Sequence, residues 1–202
     1  IRGKLTSIQR IQASGNQIDS DDIAGSVMQR DMETIRGTIE RMDRTEFDLA
    51  VEKLVGAKHI YLLGVRSSSF LAGYLNFYFR LIFKNVTLVQ TTAAGEIFDQ
   101  MLRIGPGDVL VGICFPRYSQ NAVNAVRFAR DQGADVVAVT DSKMSPLYKM
   151  SSASLLVSSD MISFVDSMAA PVSLLNALIL AVGRQKSSET SETFSELERV
   201  WS

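Results

Sequence analysis

Short unbroken apolar runs alternate along this chain with longer stretches in which apolar residues recur every three or four positions. The runs are Ile60–Gly64, Val86–Gln90, Asp108–Phe115, Asp135–Thr140 and Ser154–Ser158. Each is too short for a helix and is bounded by glycine or polar residues, so each is predicted to be a buried strand. Between them, Phe70/Leu71, Tyr74/Leu75, Tyr78 and Leu81/Ile82 mark one amphipathic helix. Ala93–Arg103 reads as a second, closed by Gly105-Pro106-Gly107, and Gln120–Gln132 as a third, with Ala122, Val123, Val126 and Ala129 inward and Gly133 as its stop. Ser145-Pro146 begins a turn or short helix. Ser167–Val182 reads as a buried helix with Pro171 in its first turn, where proline is tolerated. Strands alternating with helices of this length predict an α/β fold: βα units, a parallel sheet and helices on both faces.

The flanks follow a different pattern. Ile1–Gln12 reads as a linker or fraying helix, broken at Gly15-Asn16-Gln17, and Asp19-Ser20-Asp21-Asp22 supplies helix-starting residues. Met28, Met32, Ile35, Ile39 and Met42 then repeat at spacings of four and three. That stripe suits a helix packed on its own domain, or one packed against a second subunit. A shorter helix spans Glu46–Val55, and Lys186–Ser202 reads as a polar terminal helix beginning at Ser187-Ser188-Glu189. The expected organisation is a linker and helix over 1–45, one domain over 46–185 and a closing helix over 186–202.

Composition narrows the classes. With 202 residues, 46% hydrophobic and 21% charged, the chain suits one soluble domain with a substantial core. A formal net charge of −1 gives no basic field for nucleic acid on these residues. A single cysteine, Cys114, excludes an intrachain disulfide and fits a reducing, cytoplasmic setting. One histidine and one cysteine leave a zinc site of the usual kind without ligands, and no cofactor is expected. The most apolar stretch, Met168–Val182, carries Pro171, Ser173 and Asn176 and falls short of the about 20 residues a membrane span needs. No signal peptide follows Ile1-Arg2-Gly3-Lys4, and the opening lacks methionine, so the chain reads as a piece of something longer with a part ahead of Ile1.

The candidate chemistry lies where strands end. In open parallel sheets, ligands bind beyond the carboxyl ends of strands near the point where strand order reverses. Three such ends are polar: Arg66–Ser69, Arg117–Asn121 and Thr140–Lys143. In the first, Ser67, Ser68 and Ser69 precede a helix. They either cap it or, with its N–H groups, form an anion site. In the second, Pro116-Arg117-Tyr118-Ser119 sets a guanidinium and hydroxyls before another helix. Two serine-bearing turns, each with an arginine, suit a phosphate. The plain alternative leaves Arg66 and Arg117 solvated or paired with Glu96 or Asp99.

These residues carry a resemblance. Ile60–Ser69, the Phe115-Pro116-Arg117-Tyr118-Ser119 turn and the stretch Ala129–Asp141 resemble a sugar isomerase (SIS) domain, in particular the effector-binding domain of RpiR-type bacterial transcriptional regulators. The likeness covers roughly Phe47 to Val182. It implies a three-layer α/β/α sandwich around a flavodoxin-like, five-stranded parallel sheet. The family's first turn, Gly-x-Gly-x-Ser-Gly, falls on Gly64–Ser69 and makes Ser68 its phosphate-binding serine. The second, Ser-x-Ser-Gly-x-Thr, falls on Cys114–Ser119, where Ser119 stands for the threonine, Pro116 for a serine and Arg117 for a glycine. Arg66 likewise stands at a usual glycine. The implied site is Gly64, Arg66, Ser67, Ser68, Ser69, Pro116, Arg117, Tyr118, Ser119 and Asp141.

The resemblance further implies a sensor of a phosphorylated sugar or sugar acid. Such a sensor reports to DNA through a helix-turn-helix domain ahead of this chain, without a membrane, as a homodimer or homotetramer. Its contacts would fall on the Met28–Met42 and Ser167–Val182 helices. An aldose–ketose phosphate isomerase is the alternative. It would need a base, and His59 stands at the wrong end of its strand, leaving Glu96 or Asp141. A ligand-free dimerisation module is the third reading.

Overall fold

The computed structural model describes residues 21–90, 95–159, 161–162 and 165–201. The expected N-terminal linker up to Ser20, and the start of the helix placed at Ala93, lie outside these residues. Two helices come first, α1 (Ile23–Arg41) and α2 (Arg44–Val55). Each is capped by an aspartate: the Asp22 carboxylate accepts from Gly25 N, and the Asp43 carboxylate from Thr45 N and Glu46 N. Then follow β1 (Ile60–Gly64), α3 (Ser68–Ile82), β2 (Val86–Leu88), α4 (Glu96–Gln100), β3 (Val109–Ile113), α5 (Gln120–Asp131), β4 (Asp135–Thr140) and β5 (Ala153–Leu156). After β5 comes a two-stranded hairpin, β6 (Met161–Ile162) and β7 (Val165–Asp166), then α6 (Ala169–Gln185) and α7 (Ser187–Trp201).

The five long strands form one parallel sheet in the order β2-β1-β3-β4-β5, the flavodoxin-like order expected. β1 and β3 are buried at every position, which is why both read as continuous apolar runs rather than alternating ones. Their side chains divide between two cores. Ile60, Leu62, Val109, Val111 and Ile113 meet Leu71, Leu75 and Phe79 of α3 and Leu174, Leu175 and Leu178 of α6. Tyr61, Leu63 and Leu110 face the other way, against Ile97 of α4 and Ala122, Val126 and Ala129 of α5. The exposed edge of β5 is covered: Ser154 N donates to the Glu46 carboxylate at 2.6 Å, so α2 satisfies a group that would otherwise template another strand.

The helix over Ala93–Arg103 is shorter than expected, with α4 only Glu96–Gln100 before a turn. α1 packs on α6. Its buried positions are Thr34 and Thr38, whose hydroxyls bond the backbone one turn back, at 2.8 and 2.9 Å. The methionine–isoleucine stripe is split: Ile35 and Met42 touch the core, while Met28, Met32 and Ile39 are 67%, 57% and 66% exposed. The stripe therefore reaches its own domain only through Ile35 and Met42.

Candidate functional site

β1 and β3 are neighbours, with Gly64 paired to Ile113, yet their chains leave in opposite directions. β1 feeds α3 on one face and returns to β2; β3 feeds α5 on the other face and returns to β4. The turns after Gly64 and Ile113 thus begin about 4.8 Å apart and diverge, opening a crevice between the N-termini of α3 and α5.

Gly64 makes the first turn possible. A β-carbon there would lie 2.1 Å from the Ser68 carbonyl oxygen and 2.5 Å from its carbonyl carbon. Only a glycine lets α3 start directly above the end of β1. Within that turn, Arg66 is exposed and has φ +60°; within the second, Arg117 is exposed and has φ +71°. They are the only non-glycine residues with positive φ among the described residues. Such a backbone costs a side-chain-bearing residue of order 1 kcal/mol or more, and it tends to persist where function requires it. Both stand where the resembling family has glycine.

The hydroxyls do not act as caps. Neither the Ser67 nor the Ser119 side chain bonds the helix it precedes, unlike Asp22 and Asp43 at α1 and α2. Ser67 Oγ donates to Asp166 Oδ2 at 3.0 Å, and Ser69 Oγ donates to the Arg66 carbonyl at 2.6 Å. Ser68 is 4% exposed, and its hydroxyl has no hydrogen-bond partner among the described residues. A buried hydroxyl without a partner is uncommon and calls for a bound group.

The second turn is fastened from below. Tyr118 Oη donates to Asp141 Oδ1 at 2.8 Å, and Thr140 Oγ1 bonds the Cys114 carbonyl at 2.7 Å and Ser145 Oγ at 2.8 Å. Burial and the bond to Asp141 push the Tyr118 hydroxyl up to about 12, so it remains a neutral donor. Burial also pushes the Cys114 thiol up, which leaves no thiolate at the head of this turn. Pro116 and Ser119 are half-buried beside them. Of the predicted residues, the structure joins Tyr118 to Asp141, keeps Gly64 and Ser68 buried at the first turn, and sets the two arginines on the rim.

Two features bear on the alternatives. His59 precedes β1, at the amino end of the sheet, where Nε2 lies 2.8 Å from Thr87 Oγ1 and the ring stacks on Tyr61 at 4.5 Å. Arg66 makes no ion pair among the described residues, so neither Glu96 nor Asp99 holds it. Asp166 is a neighbour of the site that the sequence did not suggest, because a two-residue strand has no readable period. A separate pocket of about 130 Å³ lies at the α1–α2 corner, lined by Arg41, Asp43, Glu46, Lys143 and Tyr148 among others. Its Asp43 and Glu46 already serve as the α2 cap and the β5 edge cover. The chemistry therefore points to the strand ends instead.

Known proteins share this fold. An HTH-type transcriptional regulator of Caldanaerobacter subterraneus is 26% identical over 193 residues, 92% of this chain and 68% of that protein. Another from Haemophilus influenzae is 29% identical over 133 residues, 64% of this chain and 44% of its own length. This chain thus spans about half to two thirds of the curated relatives it matches. In fold, it matches the sugar isomerase domain of an RpiR transcription factor from Sphaerobacter thermophilus with a TM-score of 0.83 at 20% identity, covering 88% of this chain and 99% of that one. The NanR protein of Vibrio vulnificus, complexed with ManNAc-6P, matches at 0.77 and 19% identity, over 98% of this chain and 76% of that one. Phosphoheptose isomerase GmhA of Neisseria gonorrhoeae shares the fold at 0.70 and 15% identity, over 81% and 99%. The SIS domain family model matches residues 53–181, and the chain belongs to the SIS domain family.

Proposed function

We propose that this chain is the effector-sensing part of a transcriptional regulator, binding a phosphorylated sugar or sugar acid at the crevice between α3 and α5. The buried Ser68 hydroxyl, which has no partner among the described residues, carries this reading. Phosphate oxygens would accept from Ser68, from the uncapped N–H groups of α3 and α5 and from Ser119, with Arg66 and Arg117 adding charge at the rim. The helix-turn-helix relatives and the ManNAc-6P complex of NanR support the regulatory role and the ligand class. Control of DNA would pass through a separate domain ahead of this chain, in the cytoplasm. Among the described residues no helix is long and apolar enough to cross a membrane.

Replacing Ser68 or Ser119 by alanine is expected to weaken phosphosugar binding about tenfold each, the worth of a hydrogen bond to a charged group. Calorimetry on the folded variants checks this, and unchanged affinity in both would remove the site from these turns. The fold shared with GmhA favours an isomerase as the second reading. Interconversion of an aldose and ketose phosphate by the purified chain would establish it.

The exposed Met28, Met32 and Ile39 stripe, at coiled-coil spacing, fits a second copy of this chain. Leu180 of α6, 73% exposed, is a further candidate for that contact. Met32→Glu should then shift sedimentation from dimer or tetramer toward monomer. Sedimentation unchanged by the substitution would exclude the stripe.

A further inference from the structure

We propose that Asp166 and Ser167 form a link through which an anion at the first turn loosens helix α1. This rests on the reading of that turn as the phosphate site. The segment between β5 and α6 is held to α1 at both ends. At its start, Ser158 N donates to Thr38 Oγ1 at 3.1 Å and Arg41 Nη2 donates to Ser158 Oγ. At its end, Ser167 Oγ donates to Asp31 Oδ1 and accepts from Ala169 N at 3.3 Å. Between these holds, Asp166 accepts the Ser67 proton at 3.0 Å. Asp166 and Ser167 are consecutive, and the first bonds the site turn while the second bonds α1.

The chemistry makes this bond sensitive to ligand. A serine hydroxyl has one proton to donate. Without ligand, Ser67 gives it to Asp166. An anion seated beside Ser68 competes for that proton, and its charge repels the Asp166 carboxylate across the same short distance. Occupancy therefore breaks the Ser67–Asp166 bond and draws the end of β7 away. Ser167 follows, and the tie to Asp31 weakens. The ligand acts because it binds the released state better than the linked one. α1 is the first element among the described residues, so its release is a readout available to the DNA-binding domain proposed above.

The test uses the 202-residue chain and has one arm without ligand and one with it. In the first, Ser67→Ala, Asp31→Ala and the double variant are compared by urea unfolding. The two residues share no direct bond, and independent sites add to within about twofold in the unfolding constant. The link requires non-additivity of about threefold or more; additivity overturns it. Hydrogen exchange then follows the α1 amides, which report local opening. Asp166→Ala, which removes the acceptor, is expected to speed them at least threefold without ligand, and wild-type exchange in that variant would overturn the link. With ManNAc-6P and inorganic phosphate as probes, binding to the wild type should speed the same amides, and the Asp166→Ala variant should bind at least as tightly but show no further change. If neither probe binds the wild type, the phosphate-site reading is what fails, while the ligand-free arm still decides the link.

Discussion

Replacing Arg66 and Arg117 together by alanine is expected to weaken phosphosugar binding about 100-fold and to remove most of its salt dependence. Each guanidinium contributes a charge-assisted contact worth about tenfold or more, and screening by salt acts on those charges. The strained backbone sharpens the prediction. Alanine keeps the left-handed φ of +60° and +71°, whereas glycine adopts it without cost. Glycine variants should therefore bind as poorly as alanine variants yet be more stable by about 1 kcal/mol at each position. Calorimetry at two salt concentrations and urea unfolding supply both readouts. If the glycine variants retained wild-type affinity, the arginines would be ornamental to the site and the turn geometry alone would bind.

Gly64→Ala is expected to destabilise the domain by about 3 kcal/mol and to abolish binding. Its β-carbon would meet the backbone of Ser68 at 2.1 Å, and backbone cannot swing aside as a flexible side chain can. Relief requires α3 to move off the end of β1, which takes Ser68 and the helix N–H groups out of position together. Gly73, inside the same helix, is the control. A β-carbon there meets nothing within 4 Å, so Gly73→Ala should stabilise by about 0.5–1 kcal/mol and leave binding intact. Urea unfolding of the two variants separates close approach at the turn from a general effect of glycine in α3.

The sheet was legible because its strands are buried on both faces, and Ile60–Gly64 or Val136–Val139 can be apolar throughout without ambiguity about facing. The crevice was legible for a related reason: polar clusters at Arg66–Ser69 and Arg117–Ser119 interrupt apolar runs where parallel sheets bind ligands. The unusual backbone at Arg66 and Arg117 showed only as arginine where the resembling family has glycine. Nothing in the local pattern distinguished a solvated arginine from a strained one. Serine as cap or as ligand group could not be separated from sequence, since both uses favour a helix start; the bond of Ser67 to Asp166, 99 residues away, decides against capping there. For α1, the spacing marked a stripe without saying what it faces. Thr34 and Thr38 took the inner position because their hydroxyls are satisfied within the helix, which makes them inexpensive to bury.

On the proposed function, the crevice recognises the phosphate of a phosphorylated sugar. Its most direct test is thermal unfolding of the chain against pairs of ligands, each sugar phosphate beside the same sugar without phosphate. A ligand that binds only the folded form raises the melting temperature with concentration. Such a rise is expected for at least one phosphorylated member, starting from ManNAc-6P and sugar acid phosphates, and none for its dephosphorylated partner. A rise of equal size with both members, or none with any phosphorylated sugar at millimolar concentration, would contradict it.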